Sequence, residues 1–114
     1  MKLEVLITGK KVHDVGYRRF LLTQALTAGI DIFFTSNSYI KDKQAVILRV
    51  EGEESAVMSL LDFVKTNFPK DAEEIEDIKH HTYEGRIMNI NQYMLLAQVE
   101  QLDKLDNIIE KKED

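Results

Sequence analysis

Apolar residues along this chain switch repeatedly between alternating and helical spacing, and the order of those switches leaves few folds open. Leu3-Glu4-Val5-Leu6-Ile7 mixes alternation with β-branched residues and predicts a first strand, which Thr8-Gly9-Lys10-Lys11 interrupts. From Val15 onward Tyr17, Phe20, Leu21, Ala25 and Ala28 fall at helical spacing, and Gly29 stands where a helix end favours positive φ. Ile30 to Thr35, rich in Ile and Phe, predicts a second strand. Ser36 to Gln44 is polar and reads as a long turn, so Ala45 to Val50 becomes a third strand in a hairpin with the second. Gly52-Glu53-Glu54-Ser55 opens a second helix, with acidic residues facing the positive end of its dipole. Val57, Leu60, Leu61, Val64 and Phe68 form its apolar stripe, and Pro69 follows its end. Ile75 to Tyr83 suits an edge-like fourth strand, and Arg86 to Ile90, after Gly85, suits a fifth.

The order β-α-β-β-α-β is the split βαβ arrangement. It predicts an α+β, ferredoxin-like sandwich, with two helices on one face of an antiparallel sheet. Gln92 to Lys112 adds a C-terminal helix to that unit, so the expected division is a domain over 1–90 and an amphipathic helical extension over 91–114. Leu95, Val99, Leu102, Leu105 and Ile109 lie near one face of this helix. A helix of this kind is marginal alone in water, and its stripe is expected to pack on its own domain or to pair with a second copy as a homodimer.

Charge and composition narrow the function classes. A net charge of −5 opposes nucleic-acid binding, which needs clustered Lys and Arg to neutralise several phosphates. The front is nevertheless locally basic through Lys10, Lys11, Arg18 and Arg19, so a small anion finds a positive site where a polyanion meets repulsion elsewhere. The absence of cysteine excludes disulfides and thiolate metal sites, and a reducing cytoplasm is the expected compartment. Met1 to Ile7 is too short and too acidic for a signal peptide, and no apolar run reaches the roughly 20 residues of a membrane helix.

Val12-His13-Asp14-Val15-Gly16-Tyr17-Arg18 lies between a predicted strand and a predicted helix start, which is a common anion-binding design. Unpaired N–H groups of a first helical turn point outward and the dipole adds positive charge. Gly16 allows close backbone approach, and the Arg18 guanidinium offers a phosphoryl group two parallel hydrogen bonds. A cation at this end of a helix opposes the dipole, which itself points to an anionic partner.

The segment resembles the acylphosphatase signature Val-Gln-Gly-Val-Gly-Phe-Arg, sharing both valines, the second glycine and the arginine, with Tyr17 for Phe. The resemblance extends from Met1 to Ile90. It includes Phe20 and Ala25 at the family's helix spacing, Ala28-Gly29-Ile30 at its Leu-Gly-Leu turn, Glu51-Gly52-Glu53 before its second helix, and Pro69-Lys70-Asp71-Ala72 before its fourth strand. It implies hydrolysis of a carboxyl-phosphate anhydride without metal or cofactor. In that family the arginine and loop amides hold the phosphoryl oxygens, and an asparagine at the end of the second strand orients water. An acyl phosphate already carries a good leaving group, so positioning and charge stabilisation suffice. Arg18 maps onto the family arginine; the asparagine position falls on Ser36 by counting from Gly29-Ile30, with Asn37 one residue later.

Three departures bear on activity. The family's Gln-Gly is His13-Asp14 here, and a carboxylate about 4–6 Å from a bound anion repels it by roughly 3–4 kcal/mol at an effective dielectric near 20. Asp14 escapes that cost by pointing to solvent or by pairing with Lys10, Lys11 or Arg19. Adjacent strand residues point to opposite faces, so a simple one-residue slip is expected to place Asn37 on the wrong side, where a bulge or termination of the strand at Thr35 restores it. The family's glycine before the motif appears as Gly9, one residue further away, as if the loop held an insertion. His13 offers a residue type suited to proton transfer, but an acyl-phosphate leaving group hardly needs it. His80-His81 read as strand residues on opposite faces rather than as a metal site. The competing class is a non-catalytic family member that acts as an interaction or dimerisation module through its C-terminal helix.

Overall fold

The protein's structure, a computed structural model, describes residues 1–113, with side chains through 104. The elements in chain order are β1 (Lys2–Lys11), α1 (Tyr17–Thr27), β2 (Ile32–Ile40), β3 (Lys43–Glu51), α2 (Glu54–Thr66), β4 (Glu73–Thr82) and α3 (Ile90–Glu113). The strands form one antiparallel sheet in the order β2-β3-β1-β4, so the expected ferredoxin-like βαββαβ sandwich is the fold. No helix among the described residues is long and apolar enough to cross a membrane.

Alternation decides which face of the sheet the helices cover. Val5 and Ile7 of β1, Phe33 and Thr35 of β2, and Val46, Leu48 and Val50 of β3 are all buried on one side. Against them lie Tyr17, Leu21 and Ala25 of α1 and Val57, Leu60, Leu61 and Val64 of α2. Each fully buried Val, Leu, Ile or Phe among them contributes about 1.5–3 kcal/mol of transfer free energy. Phe33 belongs to this core, whereas Phe34 lies on the open face with the Arg49 guanidinium 5.8 Å from its ring centre. On that open face Glu4 accepts from Arg49 Nε at 2.6 Å and lies 2.8 Å from His81 Nε2. His80, on the other side, lies 3.5 Å from Lys65 of α2, so the histidine pair diverges.

Four expectations are corrected. The long polar turn of Ser36 to Gln44 is a two-residue turn, because β2 and β3 stay paired in unbroken register from Ile32↔Glu51 to Ile40↔Lys43. Lys41 and Asp42 both have positive φ, 51° and 67°, as the tightest hairpin turns demand. A fifth strand does not form: Arg86 to Ile90 contributes an isolated bridge between Asn89 and Ile32. Gly9 marks a bulge within the β1–β4 ladder rather than an insertion in the loop, since Thr8 pairs with Asp77 and Gly9 with Ile75. A Cβ at Gly9 would lie 2.8 Å from the Glu74 carbonyl oxygen, so only glycine fits there. The unpaired Glu76 resets the alternation of β4, which lets Ile75 and Ile78, three apart, both pack against the core.

The fourth correction concerns α3. Its docked face is not the predicted stripe. Ile90 and Tyr93 are buried and Ala97 packs beside them, with the Tyr93 ring edge-on to Phe33 at 5.1 Å. Leu95, Val99 and Leu102 are exposed, and the side chains of Leu105 and Ile109 lie outside the described residues. Tyr93 packs edge-on to both Phe33 and Phe34 of β2, and such aromatic pairs add to what burial alone contributes.

Candidate functional site

The loop between β1 and α1 begins pinned. The Gln44 side-chain oxygen accepts from the N–H groups of Val12 at 2.9 Å and His13 at 3.0 Å. His13 is itself buried, with Nε2 2.8 Å from the Ala45 carbonyl oxygen and its ring edge-on to Tyr39. A carbonyl only accepts, so Nε2 carries the proton and His13 is a structural pin to β3. Gln44 was invisible as a site residue in sequence, where it fell within a polar turn.

Beyond the pin the backbone opens. Asp14 has φ 58° and Gly16 φ 78°, and left-handed residues in a turn are a recurring feature of backbone anion-binding concavities. Among the described residues, no hydrogen bond engages the N–H groups of Asp14 through Arg19; Phe20 makes the first helical link, to the Gly16 carbonyl at 2.9 Å. α1 has neither a side-chain N-cap nor an acidic residue in its first turn, so nothing on the helix itself neutralises its positive end. A Cβ at Gly16 would meet nothing within 4 Å, so glycine is required here by φ, and the space before the loop is open.

That space is a cavity of about 360 Å³ lined by Arg18 and Arg19 of α1, Asn37 of β2, and Tyr93, Glu100 and Lys104 of α3, with Asp14 and Gly16 from the loop. Arg18, half-buried, donates through Nη1 to Glu100 Oε2 at 3.0 Å, across 82 residues of sequence. Asp14 is exposed and forms no ion pair with Lys10, Lys11 or Arg19. It lines the edge of the cavity, and an aspartate tolerates the left-handed backbone it adopts.

Asn37 and Ser36 part company. The expectation that Asn37 needs a bulge or a strand end at Thr35 is corrected: it pairs with Val46 in regular register and shares the face of Phe33 and Thr35, which carries it onto the cavity wall. Ser36, opposite Ile47, lies on the open face. The burial of Phe33 and Thr35 fixes this register. Val15 packs against the core, and Tyr17 is buried with its hydroxyl unpartnered among the described residues, its pKa pushed up to about 12 by desolvation. Burial also raises the Tyr93 pKa; Arg18 nearby lowers it and Glu100 raises it. The α3 residues of the cavity carried no signal in sequence, because no motif places a distant helix beside this loop.

A family model described as Acylphosphatase matches residues 3–93. No curated protein matches the sequence. Among solved structures, the acylphosphatase from Bacillus subtilis is 23% identical, with 75% of this chain and 89% of that one covered at a TM-score of 0.54. An acylphosphatase from Coxiella burnetii is 15% identical, covering 75% of this chain and 82% of that one at 0.55. Full-length HypF in a phosphate- and nucleotide-bound form is 21% identical at 0.62, where 75% of this chain corresponds to 10% of that larger one.

Proposed function

This chain belongs to the acylphosphatase family, and we propose that it binds phosphate, or the phosphoryl group of a small acyl phosphate, on the loop ending in Arg18 and hydrolyses the carboxyl-phosphate bond. The observation that carries this reading is one cavity lined by Asp14, Gly16, Arg18 and Asn37, beside loop N–H groups that have no partner among the described residues. The amides and Arg18 hold the phosphoryl oxygens, and Asn37 orients a water against phosphorus. The water oxygen bonds to phosphorus as the bond to the acyl oxygen breaks. That electron pair leaves with the carboxylate, and the water's proton passes to solvent. Charge stabilisation by fixed donors accounts for such a step without a general base, since the leaving carboxylate is weakly basic.

Hydrolysis of a model acyl phosphate by the wild type and by Arg18→Lys tests the reading. Loss of one preorganised charge-stabilising donor costs about 10²- to 10³-fold in kcat, and the lysine variant is expected to lose that much. A wild-type rate at background sinks the proposal.

The exposed Leu95, Val99 and Leu102 of α3 favour a separate reading, in which that stripe pairs with a second copy of the chain. Such a chain has twice its monomer mass by light scattering, and Val99→Glu with Leu102→Glu returns it to the monomer. A monomeric wild type at high concentration excludes pairing.

A further inference from the structure

Arg18 already has an anion on it. The Glu100 carboxylate reaches its Nη1 at 3.0 Å and lines the same cavity as the loop. The spacing of α3 explains how. Ile90, Tyr93, Ala97 and Glu100 recur at three- and four-residue intervals, so docking the first of these against the core lays Glu100 over the start of α1. The small Ala97, another cavity-lining residue, keeps this approach close. Glu100 takes one guanidinium nitrogen and, among the described residues, none of the loop amides.

Resting on the reading of the loop as an anion site, we infer that Glu100 is an intramolecular competitor for it: its carboxylate occupies the phosphoryl position on Arg18, and a ligand enters by displacing it. The charges of the cavity favour this over a supporting role. Arg18, Arg19 and Lys104 are three cations, and Asp14 and Glu100 are two anions, which leaves a single excess positive charge. A phosphate dianion beside Glu100 would have to share Arg18 with a carboxylate in a partly desolvated space, where like charges repel strongly. With Glu100 withdrawn, the excess doubles and the whole guanidinium is available for bidentate contact. Binding of phosphate and docking of this part of α3 therefore oppose each other, and by linkage each weakens the other equally.

Inorganic phosphate is the probe, titrated into the wild type, Glu100→Gln, Arg18→Ala and the Arg18→Ala/Glu100→Gln pair, with loop amide chemical shifts as readout. Glutamine keeps the size and helix preference of glutamate while removing the charge. Because the ion pair is half-exposed, its removal is expected to tighten phosphate binding about five- to tenfold. Phosphate is also expected to speed amide exchange around Ala97 to Glu100 in the wild type. Equal or weaker binding by Glu100→Gln, with phosphate still shifting the loop, overturns the competitor and leaves the loop reading standing. Loop shifts that persist unchanged in Arg18→Ala, or that are missing from every form, overturn both.

Discussion

Tyr17 differs from the phenylalanine of the family signature by one oxygen, and that oxygen is buried without a partner among the described residues. A hydroxyl left unsatisfied in the core costs about 1–3 kcal/mol. Tyr17→Phe is therefore expected to stabilise the fold by about 1 kcal/mol and raise the Tm by a few degrees; an unchanged or lower Tm shows that the hydroxyl has found a partner. The same burial makes a pH prediction. The phenol titrates near 10 when unfolded and near 12 when folded, so the unfolded state loses its proton first. Stability is full below pH 10 and falls by about 3 kcal/mol on going through pH 12, with Tyr93, also raised by burial, adding to the loss in that alkaline range. Urea midpoints from pH 9 to 12 check it, and Tyr17→Phe is expected to flatten the curve. Asp14 is the other residue that departs from the family. Asn tolerates the same left-handed backbone without the charge, so Asp14→Asn is expected to tighten phosphate binding about three- to tenfold. Unaltered affinity shows that solvent already screens this exposed carboxylate.

The β2–β3 hairpin shows where local sequence stops specifying an element. Ser36 to Gln44 is polar because these strand ends are only half covered, and a polar strand end and a polar loop share one composition. The turn itself, Lys41-Asp42, lacks the Asn-Gly or Asp-Gly that marks the tight hairpin, so the strands' true length was hidden. The elements β1, α1, β3 and α2 were legible because their apolar spacing meets the core directly, β4 and α3 were legible as a strand and a helix but not in which residues meet the core, and Arg18 and Gly16 were legible because a motif fixes them between two elements. Asn37 was ambiguous for the same reason as the turn: its face is set by the burial of Phe33 and Thr35 through pairing with β3, which counting residues does not capture. Its amide lies on the cavity wall and the Ser36 hydroxyl does not, so Asn37→Ala is expected to lower kcat about 10²-fold, as for loss of a positioning group, while Ser36→Ala leaves it unchanged. The reverse pattern would place the water on the wrong side of the sheet. At the turn, non-glycine residues in the left-handed region cost about 1–2 kcal/mol each. Lys41→Asn with Asp42→Gly is expected to recover about 1–2 kcal/mol, read as a higher urea midpoint with the same slope.

At the scale of the whole molecule, one helix joins stability to access. The first turns of α3 fill the edge of the core beside β2 through Ile90 and Tyr93, and its next turns bring Glu100 to Arg18. Tyr93 sits between these roles, packed edge-on to Phe33 and Phe34 and close enough to Arg18 and Glu100 to feel both charges. Replacing it with leucine keeps an apolar side chain but leaves part of its volume empty, at about 1–3 kcal/mol, so the fold survives while α3 is held less firmly. If docking of α3 is what holds Glu100 in place, Tyr93→Leu weakens the competitor as Glu100→Gln removes it. Each single variant then binds phosphate more tightly than the wild type. The double variant gains little over Glu100→Gln alone, because both changes act through the same carboxylate. A phosphate titration across the four forms measures that shortfall. Fully additive gains would mean that Tyr93 and Glu100 act on the loop independently, and the helix would then be a brace for the core whose glutamate happens to touch the arginine.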